Sequence, residues 1–150
     1  MYTVELLTNR DIKWAIEVAG KNMVTQELGR PELYNRERFL ELTNIMVRDN
    51  SAFIAKKNGA PVGCIGALLS PNLFNPKFTT LAEILWYVVP AARNTRVGAL
   101  LLNEYQKLCD EVADEATLCL QTTTQVNNES LQKRGWKLQE TAFIYKSKRT

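Results

Sequence analysis

The sequence predicts an α+β fold: a mixed, mostly antiparallel sheet of six to seven strands flanked by about four helices. Three observations carry this. Apolar residues alternate at a period of two in some segments and recur every three to four residues in others. Asn58-Gly59 between two apolar runs is a strong hairpin signal, so two central strands are antiparallel. A strand–helix–strand stretch follows, and its crossover demands a parallel pair.

Met1–Leu7 reads as a strand, with Tyr2, Val4 and Leu6 alternating against Thr3 and Glu5. Thr8 or Asn9 can cap a helix starting near Asp11, whose apolar stripe is Ile12, Ala15, Ile16, Ala19 and Met23. Gly29-Arg30-Pro31 breaks it. Asn35 caps a second helix over about Arg36–Val47. Ser51–Lys57 and Val62–Leu69 are the hairpin strands, and Ser70–Lys77 is a loop. Leu81–Val89 is a long apolar strand ended by Pro90. A helix follows over about Val97–Ala113, then a strand over Ala116–Gln121 and a short helix over Asn127–Arg134 with Gly135 as its C-cap. Trp136–Tyr145 is expected to complete the sheet as two strand pieces. Trp14, Phe39, Trp136 and Phe143 are expected in the core, with Cys119 as a small buried hydrophobe on an internal strand.

The 150 residues suit one domain spanning 1–150, with 45% hydrophobic and 23% charged residues. No apolar run is long enough to span a bilayer, and no basic-then-apolar leader opens the chain, so a cytoplasmic location without membrane contact is expected. The net charge of +3 suits a polyanionic ligand but is too small to point to nucleic acid. Three widely spaced cysteines argue against a disulfide framework, and with no histidine there is no Ser-His or Cys-His dyad and no usual metal site. Acid–base chemistry then falls to carboxylates, tyrosines, cysteines, lysines or water.

One segment concentrates chemistry: the strand ending Trp86-Tyr87-Val88-Val89-Pro90, the basic loop Ala91-Ala92-Arg93-Asn94-Thr95-Arg96, and the helix opening Val97-Gly98-Ala99. A helix start leaves backbone N–H groups unpaired and carries about half a positive charge. Gly98 lets an anion approach that backbone, and Arg93 and Arg96 add charged donors. The alternative reading is an ordinary strand-to-helix corner.

Those residues resemble motif A of the GNAT superfamily of N-acetyltransferases: Gln or Arg, two residues, Gly, one residue, then Gly or Ala. Arg93 matches its first position and Gly98 its last, while Arg96 stands where most members have glycine, as in some phage and prophage-type members. The segments around Phe53–Ala55, Asn58-Gly59 and Pro61–Gly66 resemble the family's central hairpin, and Asn127–Trp136 its last helix.

The resemblance implies acetyl-CoA as cosubstrate and an amine acceptor. Backbone N–H groups of Asn94, Thr95, Arg96, Val97, Gly98 and Ala99 would cradle the pyrophosphate. Free backbone groups of Trp86, Tyr87 and Val88 would pair with the pantetheine arm. Asn127 or Asn128 would bond that arm, or simply cap the helix. Glu83 is either a surface carboxylate at the strand's end or the base that deprotonates the acceptor, with Glu27 and Glu32 as rival acceptor-recognition groups. Many members carry a tyrosine four residues before the final glycine to protonate the leaving thiolate. Here that position is Leu131, and Tyr145, Tyr87 or water are the alternatives. A catalytically inert module of the same fold, an acyltransferase for longer acyl chains or protein amines, and a homodimer are further expectations from the resemblance.

Overall fold

The computed structural model describes residues 1–120 and 126–149. Five strands form one sheet in the order β1-β2-β3-β4-β5: β1 (Tyr2–Leu6), β2 (Ala52–Lys57), β3 (Ala60–Pro71), β4 (Thr79–Val88) and β5 (Glu115–Thr117). Neighbours are antiparallel except β4 and β5, which run parallel because a helix crosses over between them. Asn58 and Gly59 turn the β2–β3 hairpin at φ 51° and 84°, the left-handed pair that a two-residue turn requires.

Helical segments cover both faces. Thr8 and Asp11 form a capping box, with the Thr8 N–H donating to Asp11 Oδ2 at 3.0 Å. The helical stretch that follows begins as α1 (Ile12–Trp14) and widens to π-type turns over Ala15–Gly20 and Met23–Glu27. Asn35 caps α2 (Arg36–Arg48), its Oδ1 accepting from the Arg38 N–H at 2.9 Å. On this face Ala15, Ala19 and Met46 pack against Ile54, Cys64, Leu85 and Tyr87 of the sheet. On the other face α3 (Val97–Val112) lays Val97, Leu101 and Tyr105 against Ala55, Ile65 and Leu81, joined by Leu131 of α4 (Asn128–Lys133). A Schellman motif closes α4: Gly135 N–H donates to Gln132 O and Trp136 N–H to Leu131 O, both at 3.0 Å, with Gly135 at φ 93°.

Gly63 sets how closely α3 approaches the sheet. A Cβ there would lie 2.9 Å from the Tyr87 carbonyl oxygen and 3.2 Å from side chains of Val97 and Leu101. Backbone cannot yield as a side chain can, so Gly63→Ala is expected to cost about 1–3 kcal/mol in urea-unfolding midpoints. Gly66→Ala, which meets the flexible end of Met46, should cost less.

The sheet has five strands among the described residues, against the six to seven that the sequence suggests. Part of the difference is Trp136–Tyr145, which forms no strand here. Phe143, expected in the core, is 94% exposed, and Ile144 and Tyr145 are exposed beside it. Their β-forming character is a preference for a hydrogen-bonded, packed neighbour, and the described residues give Phe143, Ile144 and Tyr145 none, whereas Trp136 still stacks on Tyr105. The expected strand Ala116–Gln121 is shorter, and Gln121 lies outside the described residues. Among the described residues, no helix is long and apolar enough to cross a membrane.

Candidate active site

The site starts from an irregularity in β4. Leu85 pairs with Gly66 and Glu83 with Ala67, so Ile84 is an extra residue without a partner on β3, a β-bulge. Its effect is a change of phase. In a regular strand Glu83 would share a face with Leu85 and Tyr87, which pack toward α1 and α2. The extra residue instead places Glu83 on the α3 side with Leu81, Trp86 and Val88.

The bulge also marks where β4 and β5 part. Their ladder covers Thr80–Ala82 against Glu115–Thr117 and stops there. The Tyr105 hydroxyl sits at the fork, 2.9 Å from Leu81 O and 2.8 Å from Thr117 O. Beyond it, Val89 N–H donates to Val62 O of β3. Backbone groups alternate sides along an antiparallel strand, so those of Val88 and Trp86 face away from β3, toward the gap left by β5. Tyr87 is placed differently from expectation: its backbone groups turn to β3, and its ring is buried on the opposite face of the sheet.

The gap is a cleft of about 810 Å³. Strand β4 contributes Glu83, Trp86 and Val88. The following loop contributes Arg93, Asn94 and Thr95, the start of α3 contributes Gly98 and Ala99, and Asn127 closes the far side. Asn94 turns the loop at φ 62°, a left-handed conformation that asparagine tolerates. Thr95 Oγ1 donates to Ala92 O and accepts from the Val97 N–H at 3.3 Å, so that amide is already paired. Leu100 N–H bonds Arg96 O. Gly98 and Ala99 N–H are left without an acceptor among the described residues, pointing out of the helix start. A Cβ on Gly98 would meet nothing nearer than Trp86 Cζ2 at 3.8 Å. Protein packing therefore does not require glycine here, although glycine weakens a helix.

Glu83 and Glu27 are the carboxylates that line this cleft, and Glu83 is the one on β4. Burial pushes its carboxyl up to about 7, and the Cys119 N–H, donating to Oε1 at 3.4 Å, pulls only slightly the other way. Cys119 is exposed and lies off the strand, not buried on it. Burial first, then the charges of Glu83 and Glu140, raise its thiol, which is the wrong direction for a nucleophile.

Arg93 is engaged. Its Nε donates to Val88 O at 2.9 Å, its Nη2 pairs with Glu27 Oε1 at 2.9 Å, and its guanidinium lies 5.7 Å from the Tyr87 ring centre. It ties the end of β4 to the π-type turns that carry Glu27. Burial raises the Glu27 carboxyl and the Arg93 charge opposes that rise.

Residues 21–135 match the model of the acetyltransferase (GNAT) family. The chain belongs to that family. Solved GNAT structures share its fold across the whole chain. A GCN5-related N-acetyltransferase from Ralstonia eutropha JMP134 is 20% identical, with 98% of each chain covered and a TM-score of 0.74. A predicted acetyltransferase from Clostridium acetobutylicum, solved with acetyl-CoA, is 13% identical, with 97% of this chain and 96% of that one covered and a TM-score of 0.73. Naa50 of Arabidopsis thaliana, in complex with the bisubstrate analogue CoA-Ac-MVNAL, is 17% identical, with 99% and 93% covered and a TM-score of 0.70. No curated protein sequence matches the chain.

Four residues that motif reasoning assigned to the GNAT site lie off the cleft. Arg96 is exposed, Val97 is fully buried on the sheet-facing side of α3, Asn128 is exposed at the start of α4, and Tyr87 is buried as described. Asn127 Oδ1 caps α4, accepting from the Ser130 N–H at 2.7 Å, while the residue still borders the cleft. Leu131 packs into the core where many GNAT members place a tyrosine. Tyr105 at the fork and Glu27 opposite Arg93 carry positions that no motif spacing marks.

Proposed function

We propose that this chain transfers an acetyl group from acetyl-CoA directly to a primary amine. The observation that carries the reading is the meeting, in one cleft, of unpaired amides at Gly98 and Ala99, an open strand edge at Trp86 and the Val88 N–H, and a carboxyl held at about 7. Amides at a helix start suit a pyrophosphate. The open edge suits an extended amide-bearing arm, added like a strand. The GNAT neighbours described with acetyl-CoA and with a CoA conjugate support that assignment.

In this reading Glu83 takes a proton from the acceptor ammonium, and the neutral nitrogen attacks the thioester carbon. The Val88 N–H, facing the gap, donates to the developing oxyanion. The carbon–sulfur bond breaks, sulfur leaves with the electron pair, and the second amine proton reaches it through water. One proton goes to solvent by way of Glu83, so charge and atoms balance. The route needs no tyrosine at position 131.

Calorimetry of acetyl-CoA binding, followed by thiol release over a broad panel of amines, tests the reading. Micromolar binding with release on one or more amines supports it. The Leu131 position favours one other reading, a GNAT-fold module that binds without chemistry. Tight binding with no release on any amine would select that module, and no binding at millimolar acetyl-CoA would sink the enzyme assignment. Release with longer acyl-CoAs, run in parallel, gives the acyl preference.

A further inference from the structure

The Glu27–Arg93 pair joins two halves of the cleft that the proposed reaction uses separately. Arg93 belongs to the loop leading into the amides of α3, and Glu27 to the helical wall on the other side. The pair is partly exposed, with side-chain accessibilities of 38% and 32%. Nε is anchored on the Val88 carbonyl, so the guanidinium can pivot there and still hold the end of β4. Nη1 has no acceptor among the described residues, which leaves two N–H groups for a second anion. Two anions on one guanidinium repel each other and share its charge.

We propose that Glu27 and the pyrophosphate of the cofactor compete for Arg93, so that Glu27 is uncovered for the acceptor ammonium only once the cofactor is bound. This rests on the acetyl-CoA reading above. An arriving phosphate draws the guanidinium toward α3 and weakens its hold on Glu27. The carboxylate left in a half-buried position then wants a cation, and a protonated amine entering past Gln26 and Met23 is that cation. Glu27 acts in recognition and Glu83 in proton transfer. The acceptor that Glu27 selects is therefore cationic, and in this scheme its site forms only after the cofactor is bound.

The test is a double-mutant cycle on CoA binding, with thermal melts to confirm folding. Glu27→Gln should tighten CoA about two- to five-fold, the scale of a partly exposed ion pair released to another anion. Arg93→Gln should weaken CoA, and Glu27→Gln should then change nothing in the Arg93→Gln background. Loss of a merely structural contact would move affinity the opposite way. Glu27→Asp, with shortened reach, should tighten CoA in the same direction if the Gln variant folds poorly. As a second readout, 1,4-diaminobutane should bind the CoA-loaded protein, and neither the free protein nor CoA-loaded Glu27→Gln. Unchanged or weaker CoA binding in the Glu27 variants overturns the proposal, as does equal diamine binding with and without CoA. Failure of CoA to bind the natural protein would instead overturn the acetyl-CoA reading itself.

Discussion

Glu83→Gln is expected to lower kcat by about 10²- to 10⁴-fold, the usual span for a lost general base, with acetyl-CoA affinity unchanged. The same substitution should stabilise the fold. Burial holds the carboxyl at about 7 against an ordinary 4.5, so between those values the native state keeps a proton that the unfolded chain has lost. Stability from this group is complete below pH 4.5, falls as pH rises, and is gone above about 7. Glutamine does not ionise and escapes that loss. Urea midpoints at pH 8 should therefore favour the variant by about 1–3 kcal/mol, somewhat below the roughly 3.4 kcal/mol that the full shift gives at 1.36 kcal/mol per pH unit. At pH 4 the two proteins should match. In the natural enzyme, kcat/KM should rise with pH and level off above about 7, since the base works only when ionised. Unaltered turnover in the variant would remove Glu83 from the chemistry.

The second large effect is Gly98→Trp. The space above Gly98 opens into the cleft, and nothing in the protein stands within 3.8 Å of an added Cβ. An indole there should occupy the place before the Gly98 and Ala99 amides and weaken acetyl-CoA by at least about 100-fold, or roughly 3 kcal/mol. Because the added Cβ displaces no protein atom and the position borders the open cleft, the melting temperature should stay within a few degrees. Gly98→Ala makes the complementary measurement: a gain of up to about 1 kcal/mol from helix propensity, set against weaker cofactor binding. A tryptophan variant that folds normally and binds acetyl-CoA at full strength would move the cofactor away from α3.

Much of this arrangement was legible in residues 85–102. Gly98 and the basic loop, the apolar strand before them and the amphipathic helix after them are local patterns, and local patterns survive folding. The use of Arg93 was not legible, because Glu27 is sixty-six positions away and only the tertiary structure brings the two to 2.9 Å. The widened turns at Ala15–Gly20 and Met23–Glu27 leave the apolar stripe readable as an ordinary helix. Cys119 and Phe143 read as core from their chemistry alone, yet burial depends on neighbours, and both lie exposed. Glu83 stands out in the sequence as a carboxylate in an apolar run, although its five-residue spacing from Val88 would put the two on opposite faces of a regular strand. Leu81–Val89 is apolar on both faces and gives no phase from which a bulge could be read.

That bulge makes position 84 unusual in what it constrains. Ile84 has no partner on β3, so Leu or Val in its place should leave pairing and turnover nearly intact. Removing the residue altogether would let β4 run straight and its ladder with β5 continue past Ala82, zipping shut the opening through which a substrate must pass. At this point the chain is indifferent, within apolar limits, to which residue it carries and intolerant of a change in how many.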